Sequence, residues 1–378
     1  MYRILVVVLL LSSVATAEFD PSRLAFEAAH FDLQPLPAAG RSQASWSQLS
    51  DVRLHYEDIH LRARQLRFRL HQPREGQVIP EVATVQDLHL DSSDSSWRGQ
   101  LFRGELQASA MHLQRLPDSQ RYDIRLEGLQ PLAGEVLVNG HWRPFSGDVA
   151  SALVQLRLSS GEGLGSPVLE TARLLPASDT EQVHLSLMDA ARQWQLAADE
   201  LQLSGDEQGL RSIHLSGEPQ LSSQDDQELL RVQAAQSIEL PLRPGGAGAA
   251  REAVQFQLGE TFRLWAAQAE WQLATSASRQ RPELEHLSLM PAADGQLRVR
   301  YEAAAGVLRQ LRLRCAQARM QRLPGEGGQA RYHLTLQVVA PATGMLQEAD
   351  GQLPIELQAA RLEAEVEQSP DQQLLVTS

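Results

Sequence analysis

DAARQWQLAADELQLSG, residues 189–205, reads either as a helix or as strands, and the choice decides the fold. As a helix it has Asp189 for a cap, Ala190, Ala191, Trp194 and Leu201 at helical spacing, and Gly205 as a stop. Repetition elsewhere in the chain arbitrates. HLSLMDAA begins at His184, just ahead of this stretch, and HLSLMPAA begins at His286, 102 residues later. After the second copy, GQLRVRYEA alternates with a period of two through Leu297, Val299 and Tyr301. A weaker relative around His89 runs past Trp97, contains Gly99 and Gly104, and has no helical period. Copies of one module share one fold, so all three are read as strands.

Other segments agree. VQLRLSS, SIELPL, ARYHLTLQVV and LPIELQAARLEAEV alternate apolar residues with Arg, Glu, Gln and Ser, which gives each strand one wet and one buried face. A second phrase also recurs: QRLPDSQRY starts at Gln114 and QRLPGEGGQARY at Gln321, close to twice the first interval. Three diverged modules, about 50–150, 151–250 and 251–378, account for both coincidences. The expected fold class is mostly β: a repetitive antiparallel sheet, as a curled groove or sandwich-like, with few short helices, near Ser22–Ala29 and Gly259–Thr275. Leu-x-x-Leu-x-Leu phrases occur at Leu210-Ile213-Leu215, Leu284-Leu287-Leu289 and Leu308-Leu311-Leu313, with variants at Ala63-Leu66-Phe68 and Ala198-Leu201-Leu203. Their spacing is irregular and Asn139 is the sole asparagine, which excludes a leucine-rich horseshoe.

The chain opens MYRILVVVLLLSSVATAEFD, an apolar run followed by the small-x-small Ala15-Thr16-Ala17. Residues 1–17 are read as a secretory signal peptide, with an uncleaved anchor as the rival, leaving 18–378 as the mature region of a periplasmic or secreted protein. Cys315 is the sole cysteine, so no intramolecular disulfide forms, and within LRLRCAQA it reads as a buried hydrophobe. All 34 basic residues are arginine, which removes lysine chemistry, and the net charge of −13 argues against nucleic acid and anionic membrane surfaces as partners.

Catalytic and metal motifs are absent or better read otherwise. On one strand, HYEDIH (His55–His60) would split His55 and Glu57 from Asp58 and His60, so no metal site is assigned. HLRARQLRFRLH would put His60, Arg62 and Arg64 on one face and Arg67, Arg69 and His71 on the other; cross-strand glutamates are the commoner partners of such arginines, a phosphate or carboxylate the alternative. GEGLGSP, with Gly161, Gly163 and Gly165, lacks the last glycine of a dinucleotide loop. Asp225, Asp226 and Asp350 lie in turn-like contexts. His89, His184 and His286 recur at equivalent positions, which suits a structural role.

The texture resembles the repeat regions of AsmA-like bacterial envelope proteins, in which phrases such as LRQLRLRCAQA and LRSIHLSG build a curled sheet of short strands. The resemblance implies an apolar inside that handles phospholipid, with no catalytic residue, no cofactor and no metal. On that reading Leu66, Phe68, Leu70, Leu311 and Leu313 meet acyl chains, and Arg67 and Arg69 meet headgroups. Partners would be phospholipid or another envelope protein, with no transmembrane segment after cleavage. A closed β scaffold for protein interaction is the first alternative, and a secreted hydrolase with a site assembled from distant residues the second.

Overall fold

The structure, a computed structural model, describes residues 24–376 apart from 57–58, 75–76, 93–101, 118–119, 159–166, 190–191, 225–228, 244, 276–281, 292–295, 304–307, 324–330, 349–350 and 369–373. The leader at 1–17, Trp97, Gly99, the glycine loop at 161–165, Asp225, Asp226 and Asp350 lie outside the described residues. All described elements are strands, and the chain divides into two units, 1–184 with 200–211 and 185–199 with 212–378.

In the first unit β1 (Leu24–Glu27), β2 (His30–Asp32) and β3 (Arg41–Ser42) are short. The first two pair antiparallel with β4 (Ser47–Tyr56), the third with β5 (Ile59–Arg74). Then β4, β5, β6 (Gln77–Asp91) and β7 (Phe102–Arg115) pair antiparallel in chain order. Past β7, each row consists of two shorter strands. β8 (Arg121–Leu129) takes the C-terminal half of β7 and β9 (Leu132–Val138) its N-terminal part. β10 (His141–Asp148) pairs with β9, β11 (Ser151–Leu158) with β8, and β12 (Pro167–Leu175) with β11.

The chain passes between units within β13 (Val183–Asp189), after β14 (Arg192–Ala198), and again within β16 (Gly209–Ser216). In the first unit, β15 (Glu200–Asp206) pairs with β12. In the second unit β14 pairs with β17 (Gln220–Gln224), and β17 with β18 (Leu229–Gln233). The second half of β16 pairs with β19 (Ser237–Pro241), and β18 and β19 together cover β20 (Ala247–Leu258). β21 (Phe262–Thr275) follows on β20. β22 (Pro282–Met290) and β23 (Leu297–Glu302) share its other edge, and both then pair with β24 (Leu308–Leu323). β25 (Arg331–Val338) and β26 (Ala342–Glu348) take the far edge of β24. β27 (Gly351–Leu357) lies on β26, β28 (Arg361–Gln368) on β25, and β29 (Leu374–Val376) on β28.

Period-two alternation sets one apolar face per unit, but each long strand carries an out-of-phase residue. On β5 the buried side chains run Ile59, Leu61, Ala63 and then Leu66, Phe68, Leu70. Beside that step, β6 passes from Val85 to Leu88 and β7 from Ala108 to Met111. Asp51, Asp87 and Gly128 sit on the same line with φ of 49°, 52° and 59°, the left-handed region that aspartate tolerates and glycine favours. On β24 the step is Cys315 to Ala318. An extra residue of this kind lets a strand bend and still present the same face to the core.

This device corrects the expected fold class, which was mostly β with few short helices: among the described residues the fold is all-β and helix-free. Leu24–Glu27 is strand, and so is Phe262–Thr275. On β21 the buried side chains are Phe262 and Leu264, then Ala269, Trp271 and Leu273. The jump from 264 to 269 breaks the period of two and imitates helical spacing in WAAQAEWQLAT. Within the stretch 189–205, Asp189 ends β13 and residues 192–205 are β14 and β15, broken at Asp199. Both HLSLM copies are strand with their leucines buried, on β13 and β22. Both QRLP phrases end a long strand, and the tyrosines that follow, Tyr122 and Tyr332, are both buried.

Candidate functional site

The apolar faces differ in how they are filled. In the first unit Leu66, Phe68 and Leu70 are at most 1% exposed. In the second, Leu311 and Leu313 on β24 line a cavity of about 160 Å³, which they share with Phe262, Val299, Tyr301, Leu308, Leu334, Leu336, Leu362 and Val376. Of the five expected acyl-contact residues, Leu66, Phe68 and Leu70 thus belong to the first unit and Leu311 and Leu313 to the second. The Tyr301 ring packs tilted against Phe262, with centroids 4.9 Å apart, and its hydroxyl accepts a 3.4 Å hydrogen bond from the Val376 amide. Burial holds the Tyr301 phenol above its ordinary pKa, opposed by that amide and by Arg309. Cys315, on the same face, has its thiol pushed up to about 12 by burial, which leaves it protonated and a poor nucleophile at neutral pH.

The apolar faces also reach solvent at sheet edges. Phe31 lies opposite Leu49 on β4, so it shares the core side of the sheet, yet it is 48% exposed. Leu33 and Leu36 follow it and are similarly exposed. In the second unit Leu353, opposite Leu346 at the outer strand β27, is 45% exposed.

The basic residues of β5 depart from the face assignment expected of an unbroken strand. Because the strand gains a residue between Ala63 and Leu66, His60, Arg62, Arg64, Arg67, Arg69 and His71 all project from the polar face. Some have the expected acidic neighbours: Arg64 lies 3.5 Å from Asp87 and Arg69 lies 3.7 Å from Glu81. Arg62 instead faces Arg53 and His89 across the strands. Arg67 and Arg69 place their guanidinium groups 5.1 and 5.4 Å from the ring centre of Trp46, a residue the sequence reading passed over. HYEDIH is a hairpin end rather than one strand, so His55 and His60 lie opposite each other and stack at 4.2 Å. Glu57 and Asp58 lie outside the described residues.

A polar trough of about 660 Å³ crosses the outer face of the first unit over β7, β8, β11, β12 and β15. Two ion pairs lie along it: Arg125 meets Glu127 at 2.7 Å, and Arg173 holds both carboxylate oxygens of Glu200 at 2.7 Å. His89 pairs with Glu105 at 3.6 Å, His184 is exposed and His286 half-buried, so the recurrent histidines share an outward position and no common partner. Among the described residues no three His, Cys, Asp or Glu side chains group as metal ligands, and no helix is long and apolar enough to cross a membrane. Comparison with protein-family models, curated proteins and solved structures gives no match.

Proposed function

We propose that this chain is a non-enzymatic β-repeat protein of the cell envelope, exported by its N-terminal leader, that takes alkyl chains of lipids against its apolar face, as the resemblance to AsmA-like repeat regions implies. The observation that carries the reading is the largely apolar cavity at Leu311 and Leu313. Apolar voids of about 150 Å³ stay dry and accept small apolar ligands, and each buried methylene stabilises the complex by about 0.8 kcal/mol. Leu66, Phe68 and Leu70 would serve as the corresponding surface in the first unit after its covering side chains part. The test is titration with the neutral apolar dye N-phenyl-1-naphthylamine. Saturable binding that Leu311→Trp weakens at least about tenfold, with folding retained, supports the reading. Absent binding, or binding indifferent to Leu311→Trp, refutes it.

The near-complete burial of Leu66, Phe68 and Leu70 favours a second reading, a closed β scaffold whose edge strands pair with protein partners. Failure of the dye to bind either unit would select it.

A further inference from the structure

We infer that the outer edge of β2 pairs with the same edge of a second copy of this chain, the two strands running antiparallel about a two-fold axis at Phe31. The inference does not depend on whether the apolar faces take alkyl chains, and it names the edge and the partner that the scaffold reading leaves open. The second unit shows what this edge lacks. There β18 and β19 lie end to end on β20, against 255–258 and 249–251, just as β1 and β2 lie on β4, against 53–56 and 48–50. Between the two seats each long strand carries left-handed residues, Asp51 on β4 and Glu252 with Ala253 on β20. β18 and β19 are covered in turn by β17 and β16, and Ile238 and Leu240 on β19 are fully buried. Phe31 and Leu33 hold the corresponding places at β2. Among the described residues β4 is the only strand that β1 or β2 pairs with, and both side chains are more than two-fifths exposed.

The edge is self-complementary. An antiparallel ladder centred on Phe31 sets that residue opposite its own copy, His30 opposite the partner subunit's Asp32, and Asp32 opposite the partner subunit's His30. On the core side this joins the exposed apolar groups of both copies, with Phe26, whose ring meets Phe31 edge-on at 6.0 Å, beside them. On the polar side it joins acid to base, and cross-strand pairs of both kinds stabilise a sheet. His30 and Asp32 are exposed, and neither has an ion-pair partner among the described residues; Asp32 accepts only a 3.5 Å bond from the Gln34 side-chain amide. Edges that are kept apart carry lysine, proline or an inward charge. β2 carries none of these and turns a phenylalanine to the core side instead. Because both copies use the same edge, the association closes at two.

Sedimentation equilibrium of the protein purified from its own source without detergent tests the pairing. The unsubstituted protein is expected to be a dimer at micromolar concentration. Phe31→Lys puts a charge at the axis and should leave monomers; the side chain it replaces is half-exposed, so folding, read by circular dichroism, is retained. His30→Glu sets like charges opposite each other at both symmetric contacts and should weaken the dimer about tenfold. Asp32→Arg added to His30→Glu puts opposite charges back in register and should return the dimer, a repair that no general loss of stickiness predicts. A monomeric unsubstituted protein overturns the inference and leaves the edge to a different protein. A dimer indifferent to Phe31→Lys or to His30→Glu, a His30→Glu loss that Asp32→Arg does not repair, or an open-ended assembly overturns it as well. None of these outcomes bears on the dye titration, so the two readings fail separately.

Discussion

β5 in the first unit and β24 in the second are both sixteen-residue strands with one polar and one apolar face, each with a single out-of-phase residue, yet they bury different interiors. Against β5 the apolar side chains are covered throughout, and Phe68 is fully buried. Against β24 they leave a void beside Leu311 and Leu313. Alternation dictates which side chains turn inward. Whether the inward groups fill the space depends on the shapes that the neighbouring strands bring, and that is a property of packing rather than of period.

Four substitutions sharpen or break this contrast. The largest effect belongs to Phe68→Ala, which removes a fully covered ring and should cost about 3–5 kcal/mol, read from urea unfolding; Leu311→Ala, at a wall that already faces a void, should cost about 2. Equal losses would mean that the two interiors are equally packed. Enlargement should act in opposite directions. Leu66→Trp overpacks the first unit and destabilises by about 1–3 kcal/mol, whereas Leu311→Trp has room and should be near neutral or stabilising by about 0.5–1 kcal/mol.

Tyr122 supplies a pH test of the first unit alone. Burial pushes its phenol up to about 12, against the pull of Arg115, while the unfolded chain ionises near the ordinary value of about 10. The folded pKa is the higher one, so stability is intact below about pH 10 and falls as pH rises from there towards 12. Tyr122→Phe should lack its share of that fall in alkaline unfolding curves. The smallest effect is expected at Arg173→Gln, which removes an exposed pair with Glu200 and should change stability by less than about 1 kcal/mol.

Much of the fold was legible, for reasons tied to particular residues. The choice of strand for residues 189–205 followed from its repeat partner at Leu297–Tyr301, because both copies must bury the same side. The Leu-x-x-Leu-x-Leu phrases also held a signal that went unread. Ala63 to Leu66 and Leu284 to Leu287 are three-residue steps between inward positions, and on a strand such a step marks an inserted residue rather than a leucine-rich turn. Reading it so would have put all six basic residues of β5 on one face. The cavity and the Trp46 stack were not legible, since both depend on which side chains meet across strands far apart in sequence.

Native mass spectrometry of the full chain, purified from its own source without detergent and paired with lipid extraction, tests the central claim most directly. Alkyl-chain binding predicts co-purifying lipid in fixed stoichiometry, with the second unit's share lost in Leu311→Trp. A clean protein mass with no lipid recovered would contradict it and leave the apolar faces as closed cores.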